Sequence, residues 1–194
     1  MILVLNSGGN VGSALVKELR LRGAEFTAAF RSVEDVRAAE AAGMRAVVAD
    51  MEAPDTLRSA MASADHVFVV GPPSPKLQAM EANVVDAATA AGVDHLVKLS
   101  VWGAEEGRFI FSKPHQASER RIIGSGLPYT FLRPTGFMQN MLANAATIKS
   151  QGAFYMPAGE ARVAEIDVRD IARVAAAALT EPGHVGKAYD LTGP

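Results

Sequence analysis

Short apolar runs alternate with amphipathic stretches along this chain, and that alternation predicts a parallel α/β sheet with helices on both faces. Strands are expected at Ile2–Leu5, Glu25–Phe30, Arg45–Ala49, His66–Val70, His95–Leu99 and Tyr129–Leu132, with another near Ala188–Leu191. The helices between them have readable ends. Ser74-Pro75 reads as an N-cap and first-turn proline, followed by the 3–4 spaced stripe Leu77, Met80, Val84 and Ala91 and a closing Gly92. Val11, Leu15 and Leu19 lead to Gly23, and Asp167, Ile171, Val174 and Ala178 lead to Gly183, in the same way. No repeat, low-complexity tract or linker interrupts the pattern, so residues 1–194 are expected to form a single domain.

Composition narrows the picture. The chain is 49% hydrophobic and 21% charged, with a net charge of −2. That balance offers no basic stripe for nucleic acid and no patch for anionic lipid. There are no cysteines, which excludes disulfides, thiolate metal sites and a thiol nucleophile. The apolar start Met1–Leu5 is too short for a signal peptide, and no apolar run approaches the ~18–20 residues of a membrane span. A cytoplasmic location is expected.

The segment between the first strand and first helix carries the strongest signal. Leu5-Asn6-Ser7-Gly8-Gly9-Asn10-Val11-Gly12 places Gly9 where backbone must approach a pyrophosphate and Gly12 where helix must pack closely on strand. The helix N-terminus behind it offers free N–H groups to phosphates. A first glycine would be expected at position 6. Asparagine enters the left-handed region more readily than other non-glycine residues, and its amide could cap the turn. No Gly-Lys-Ser/Thr follows, so a P-loop is excluded.

The end of the second strand distinguishes the dinucleotides. A carboxylate there would bind the ribose 2′-hydroxyl of NAD, but the run is Ala28-Ala29-Phe30-Arg31-Ser32. Arg31 can pair with a 2′-phosphate, and Ser32 can add a hydrogen bond while capping the next helix. NADP(H) is therefore expected in preference to NAD(H). Asp50 either accepts from the adenine amino group or caps the segment before Pro54.

Several stretches together resemble the NmrA-like branch of the atypical short-chain dehydrogenase/reductases. They are Gly9-Asn10-Val11-Gly12, Ala90–Ser100, Ser125–Pro134, Gly136-Phe137-Met138-Gln139-Asn140 and Ile166–Ala172. That branch includes type-two NAD(P)H quinone reductases, triphenylmethane reductases and catalytically silent NADP-sensing regulators. The resemblance implies a Rossmann-type doubly wound sheet of order 3-2-1-4-5-6-7. It also implies a nicotinamide near Ser100, His115 and the Pro134–Phe137 turn, with Gly71 and Pro72 walling the cleft. Two departures matter. The Tyr-x-x-x-Lys pair of the wider superfamily is replaced by Phe111-x-x-x-His115, which removes the ketone-reductase mechanism. The chain also stops where family members usually continue into a substrate lobe, so that lobe is expected to be short or missing.

Hydride transfer to a quinone or similar conjugated acceptor does not require a strong protein acid. His115 is the candidate donor, though a histidine near a helix start also serves at surfaces and caps. Ser100 either touches the nicotinamide ribose or simply ends its strand, and Lys113 is either a charged candidate near the site or an exposed helix-start lysine. Arg133 could orient phosphates or pair with Asp167 or Asp170. Phe137, Met138 and Met141 read as a helical apolar face, either packed in the core or, for Phe137, beside the acceptor. No nucleophile elbow, zincin motif or metal spacing is present. The expected function is NAD(P)H-dependent reduction of a small conjugated acceptor. The alternative is a non-enzymatic NADP(H) sensor that acts through a regulatory protein partner. A small-molecule substrate is the expected partner, and a homodimer is also compatible.

Overall fold

A computed structural model describes residues 1–155 and 159–194. Nine strands are described: β1 (Ile2–Val4), β2 (Phe26–Phe30), β3 (Ala46–Val48), β4 (His66–Val69), β5 (His95–Leu99), β6 (Tyr129–Pro134), β7 (Gly136–Phe137), β8 (Glu165–Ile166) and β9 (Lys187–Leu191). Seven form one parallel sheet of order β3-β2-β1-β4-β5-β6-β9, while β7 and β8 pair with each other. The doubly wound order implied by the resemblance is thus the observed one, with β9 as its seventh strand. The connection reverses direction between β1 and β4, and the carboxyl ends of these strands open the crevice where open α/β sheets bind ligands.

The strands hold together because their runs are apolar on both sides. Helices α1 (Asn10–Leu21) and α7 (Val168–Thr180) pack on one face, burying Leu15, Leu19, Ile171 and Ala175 against Val4 and Phe68. The other face buries Leu57 of α3 (Pro54–Met61), Val84 of α4 (Leu77–Ala91) and Ile122 of α5 (Ser112–Ser125) against Leu3, Val67 and Leu96. Helix α2 (Val33–Ala41) follows β2, with Ser32 as its N-cap.

Some boundaries differ from the expectation, for local reasons. Helix α4 starts at Leu77, because the Ser74 hydroxyl accepts from the Lys76 amide and the Leu77 amide bonds the Ser74 carbonyl, closing a turn ahead of the helix. Gly92 does cap α4 in the left-handed region, as its position predicts. Gly183 is not a cap: α7 ends at Thr180 and Glu181 is extended. The segment after Phe137 is not an apolar helix face either. Phe137 belongs to β7, Met138–Asn144 is a 3₁₀ stretch with no buried residue, and a short α6 (Ala145–Gln151) follows.

At the entrance to α1, a methyl group on Gly12 would collide with the Asn6 carbonyl oxygen and the Ser7 backbone, both fixed by the sheet. Gly12→Ala is therefore expected to destabilise the chain by ~1–3 kcal/mol, the usual cost of overpacking. Urea denaturation measures this, and an unchanged midpoint would remove Gly12 from the packing argument.

Candidate functional site

The turn between β1 and α1 is closed by its own backbone. Asn6 has φ 54°, the one positive value on a non-glycine residue among the described residues, so asparagine takes the left-handed role expected of it. Its carbonyl accepts from the Gly9 amide at 3.0 Å, and its side-chain amide reaches the Val70 carbonyl beyond β4 at 3.4 Å rather than capping the turn. Gly9 is the N-cap of α1, with no side chain to satisfy the helix start. The amides of Asn10, Val11 and Gly12 have no acceptor among the described residues. Three unsatisfied donors on a bare helix start suit a diphosphate. Ser7 has a different job. Its hydroxyl donates to Val4 and accepts from the Ala29 amide, and its own amide donates to Ala29, so none of its donors is left for a ligand.

Beside this turn lies a cavity of about 380 Å³ lined by Gly9, Phe30, Arg31, Asp35, Asp50 and Pro72, among others. Arg31 is the cation of that lining and makes no ion pair or hydrogen bond among the described residues. A free guanidinium in this cavity fits a 2′-phosphate. Ser32 is committed elsewhere: its hydroxyl accepts from the Asp35 amide and donates to the Asp35 carboxylate at 2.7 Å. Asp50 caps a turn by accepting from the Glu52 amide, which leaves its second carboxylate oxygen unengaged. A side chain at Gly71 would meet the end of the Leu77 side chain, which would have to shift, and press on Glu81.

A second cavity, of about 640 Å³, opens over the ends of β5 and β6. Val101, Trp102, Phe109, Pro134, Phe137 and Val163 give it an apolar, partly aromatic wall, with Arg162 the single charged residue of the lining. The sequence reading placed Pro134 and Phe137 here but missed Trp102 and Phe109, which come from a loop with no periodicity to read.

His115 and Ser100 line neither cavity; they belong to a polar layer between β5 and α5. The Ser100 hydroxyl donates to Glu119 at 2.5 Å and is buried. Arg133 is committed as well. It forks onto Glu119 through Nε at 3.1 Å and Nη2 at 2.8 Å, and reaches Glu105 through Nη1. These carboxylates hold its guanidinium well above its ordinary pKa. The expected pairing with Asp167 or Asp170 does not occur, since those carboxylates bind Arg169 and Arg173. Phe111 is largely exposed and precedes α5, and Lys113 is exposed too. His115 sits in the first turn of α5, with Nδ1 3.2 Å from the ammonium of Lys98. Burial, and then that ammonium, push its pKa down to about 3, so the ring is neutral. Lys98 on β5 and Glu81 on α4 form a fully buried ion pair at 2.6 Å, which the sequence reading did not single out.

The family model described as NAD(P)H-binding matches residues 7–182. The chain is 40% identical to the NAD(P)H azoreductase of Xenophilus azovorans, over the whole of this chain and 68% of that protein. The structure of the NADPH-dependent quinone oxidoreductase of Escherichia coli, complexed with NADPH, superposes with a TM-score of 0.91 at 28% identity, covering 100% of this chain and 69% of that one. The triphenylmethane reductase of Citrobacter sp., complexed with NADP(H), gives a TM-score of 0.90 at 28% identity over 99% and 70% of the two chains. All three relatives are reductases, which favours the catalytic reading over the regulatory one. No helix among the described residues is long and apolar enough to cross a membrane.

The neutral histidines set an acid limit on stability. His95 is buried, its Nε2 bonded to Thr130, and burial lowers its pKa to about 4. Between these folded values and the ordinary 6.5, the unfolded chain binds protons that the folded chain does not. The contribution is complete above pH ~6.5 and is lost as the pH falls, at up to about 1.4 kcal/mol per pH unit for each ring. Urea midpoints should drop between pH 7.5 and pH 5, and His95→Gln should flatten part of that slope.

Proposed function

Because the chain belongs to the NAD(P)H-binding family, in the NmrA-like branch of the atypical short-chain dehydrogenase/reductases, and is an oxidoreductase, we propose that it uses NADPH to reduce quinones or comparable small conjugated acceptors. A dinucleotide would lie along the carboxyl edge of the sheet. The amides of Asn10, Val11 and Gly12 would hold its diphosphate, Arg31 its 2′-phosphate, and Asp50 its adenine amino group. Asn6 and Gly9 shape the turn below, and Pro72 stiffens the wall. Reduced nicotinamide bound there supplies the hydride.

The observation that carries this reading is the apolar cavity of about 640 Å³ beside the Pro134–Phe137 turn. Trp102, Phe109 and Phe137 give it aromatic surface suited to a flat acceptor. No carboxylate among the described residues lines this cavity, so the wall does not repel a developing negative charge. A quinone accepts hydride readily, and the oxyanion formed needs a hydrogen-bond donor and then a proton from solvent. His115, neutral and half-buried beside Lys98 in the layer between β5 and α5, is the donor we assign, although it stands outside the described lining of this cavity. A ketone would need a stronger acid, and none lines the cavity among the described residues. A cytoplasmic site of action belongs to the same reading.

Two measurements test it. Mixed with NADPH and a panel of quinones and azo compounds, the protein should consume the nicotinamide absorbance above background. Binding without turnover across the panel would overturn the catalytic reading. Arg31→Ala should weaken NADPH binding by roughly 10–100-fold, since a charge-assisted pair contributes ~1.5–3 kcal/mol, and should leave NADH binding nearly unchanged. Equal losses for both nucleotides would refute the 2′-phosphate assignment.

A further inference from the structure

The Lys98–Glu81 pair is not used by the reaction as described, yet it lies directly against the residue assigned as donor. Lys98 is 0% exposed and Glu81 1% exposed. An ammonium has three protons to give and nothing to accept with. Here the three go to Glu81 Oε1 at 2.6 Å, the Leu99 carbonyl at 3.2 Å and His115 Nδ1 at 3.2 Å. His115 Nδ1 therefore has to accept, and the proton of the neutral ring sits on Nε2, the nitrogen turned away from the lysine. Glu81 Oε2 meanwhile has no partner at all among the described residues. A buried ion pair with an orphaned oxygen is a poor device for stability, because apolar side chains of similar volume would serve the fold as well.

We propose that Lys98 and Glu81 are positioning residues that lock His115 as the neutral Nε2–H tautomer, making it a fixed hydrogen-bond donor to the acceptor rather than a titrating acid. The inference rests on the reductase reading. The surroundings agree with it. From β5 the ring meets the Lys98 ammonium, and from α4 Glu81 lies behind that ammonium and is neutralised by it. On α5 itself Glu119, one turn further on, is spent on Ser100 and Arg133. Lys113 is exposed, and no carboxylate bonds the ring among the described residues. A positive charge against Nδ1 opposes a second proton on the ring. The donor thus keeps one form across the working pH range and stabilises charge on the acceptor oxygen, while the proton itself comes from water.

The test begins with the wild-type full chain, labelled with ¹⁵N, using His115→Gln to assign the ring signals. Two-bond correlations should show Nδ1 unprotonated and Nε2 protonated at every pH from about 5.5 to 8. An Nδ1–H ring, or an imidazolium appearing in that range, overturns the proposal whether or not any acceptor is ever found. The second arm is the double variant Glu81→Leu/Lys98→Met, which removes both charges at similar volume. It should retain a cooperative thermal transition while its His115 ring exchanges between tautomers. Its kcat for quinone reduction should fall by ~10–100-fold, the cost of a misplaced group, with KM for NADPH within about twofold and a new pH-dependent limb. An unchanged kcat and pH profile would overturn the positioning role. If His115→Ala alone reduces quinone at the wild-type rate, the donor assignment fails, and the ring measurement separates that failure from a wrong tautomer.

Discussion

The site depends on one close approach, that of the α1 start to the turn after β1. Asn6 turns the chain in the left-handed region, and Gly12 lets the helix come down onto the Asn6 carbonyl. Neither residue touches the apolar cavity, yet together they fix where three unsatisfied amides point. A bulkier contact would lift α1 away from β1, and with it the buried stripe Val11, Leu15 and Leu19 that anchors the helix beside α7. Packing and ligand geometry are thus set by the same few atoms. Ser7, inside the same loop, ties β1 to β2.

A second organising feature is the polar layer between β5 and α5. His115 and Glu119 lie four residues apart on the helix, and Lys98 and Ser100 two apart on the strand. Four helical residues rise about 6 Å and two strand residues about 6.6 Å, so the two pairs match in register. Lys98 faces His115 at one level, and Ser100 faces Glu119 at the next. Each level is closed by a further charge: Glu81 from α4 behind Lys98, and Arg133 from β6 behind Glu119. Elsewhere on the same face the sheet buries Leu96 and Phe131 against apolar helix residues. Charges are costly there, and they gather where the strands reach the cleft.

Much of this was legible in the sequence, because parallel strands covered on both faces write themselves as short apolar runs. The seven sheet strands were readable in that way, and the glycine turn with its left-handed asparagine from motif spacing. What escaped reading has specific causes. Lys98 sits inside the run His95–Leu99, where alternation puts it on the same side as Leu96, but a lysine at a strand end invites the exposed reading. Glu81 occupies a core position of its helix, four residues after Leu77 and three before Val84, so the signal was in the spacing and was masked by the charge. The Met138–Asn144 stretch looked helical because its apolar residues recur at helical intervals. It forms a 3₁₀ turn with no buried residue, and its period reports no core. Pairings such as Arg133 with Glu119 join residues whose proximity only the tertiary fold decides.

The missing Tyr-x-x-x-Lys pair is best understood through what a fixed positive charge does to each kind of acid. Beside a phenol, a buried ammonium favours the ionised form, lowers the pKa and makes the phenol a better proton donor. Beside an imidazole, the same ammonium disfavours the imidazolium, so the ring stays neutral and cannot deliver a proton from its charged form. The chain keeps the electrostatic device but moves the lysine from the helix to β5, and changes the group it acts on. On the proposed reading, what results is a hydrogen-bond donor of constant form rather than an acid. Such a donor is adequate only for acceptors that take hydride without prior protonation, and quinones and related conjugated systems meet that condition. On that reading, a quinone-like substrate and the absence of the tyrosine are both compatible with the same buried charge.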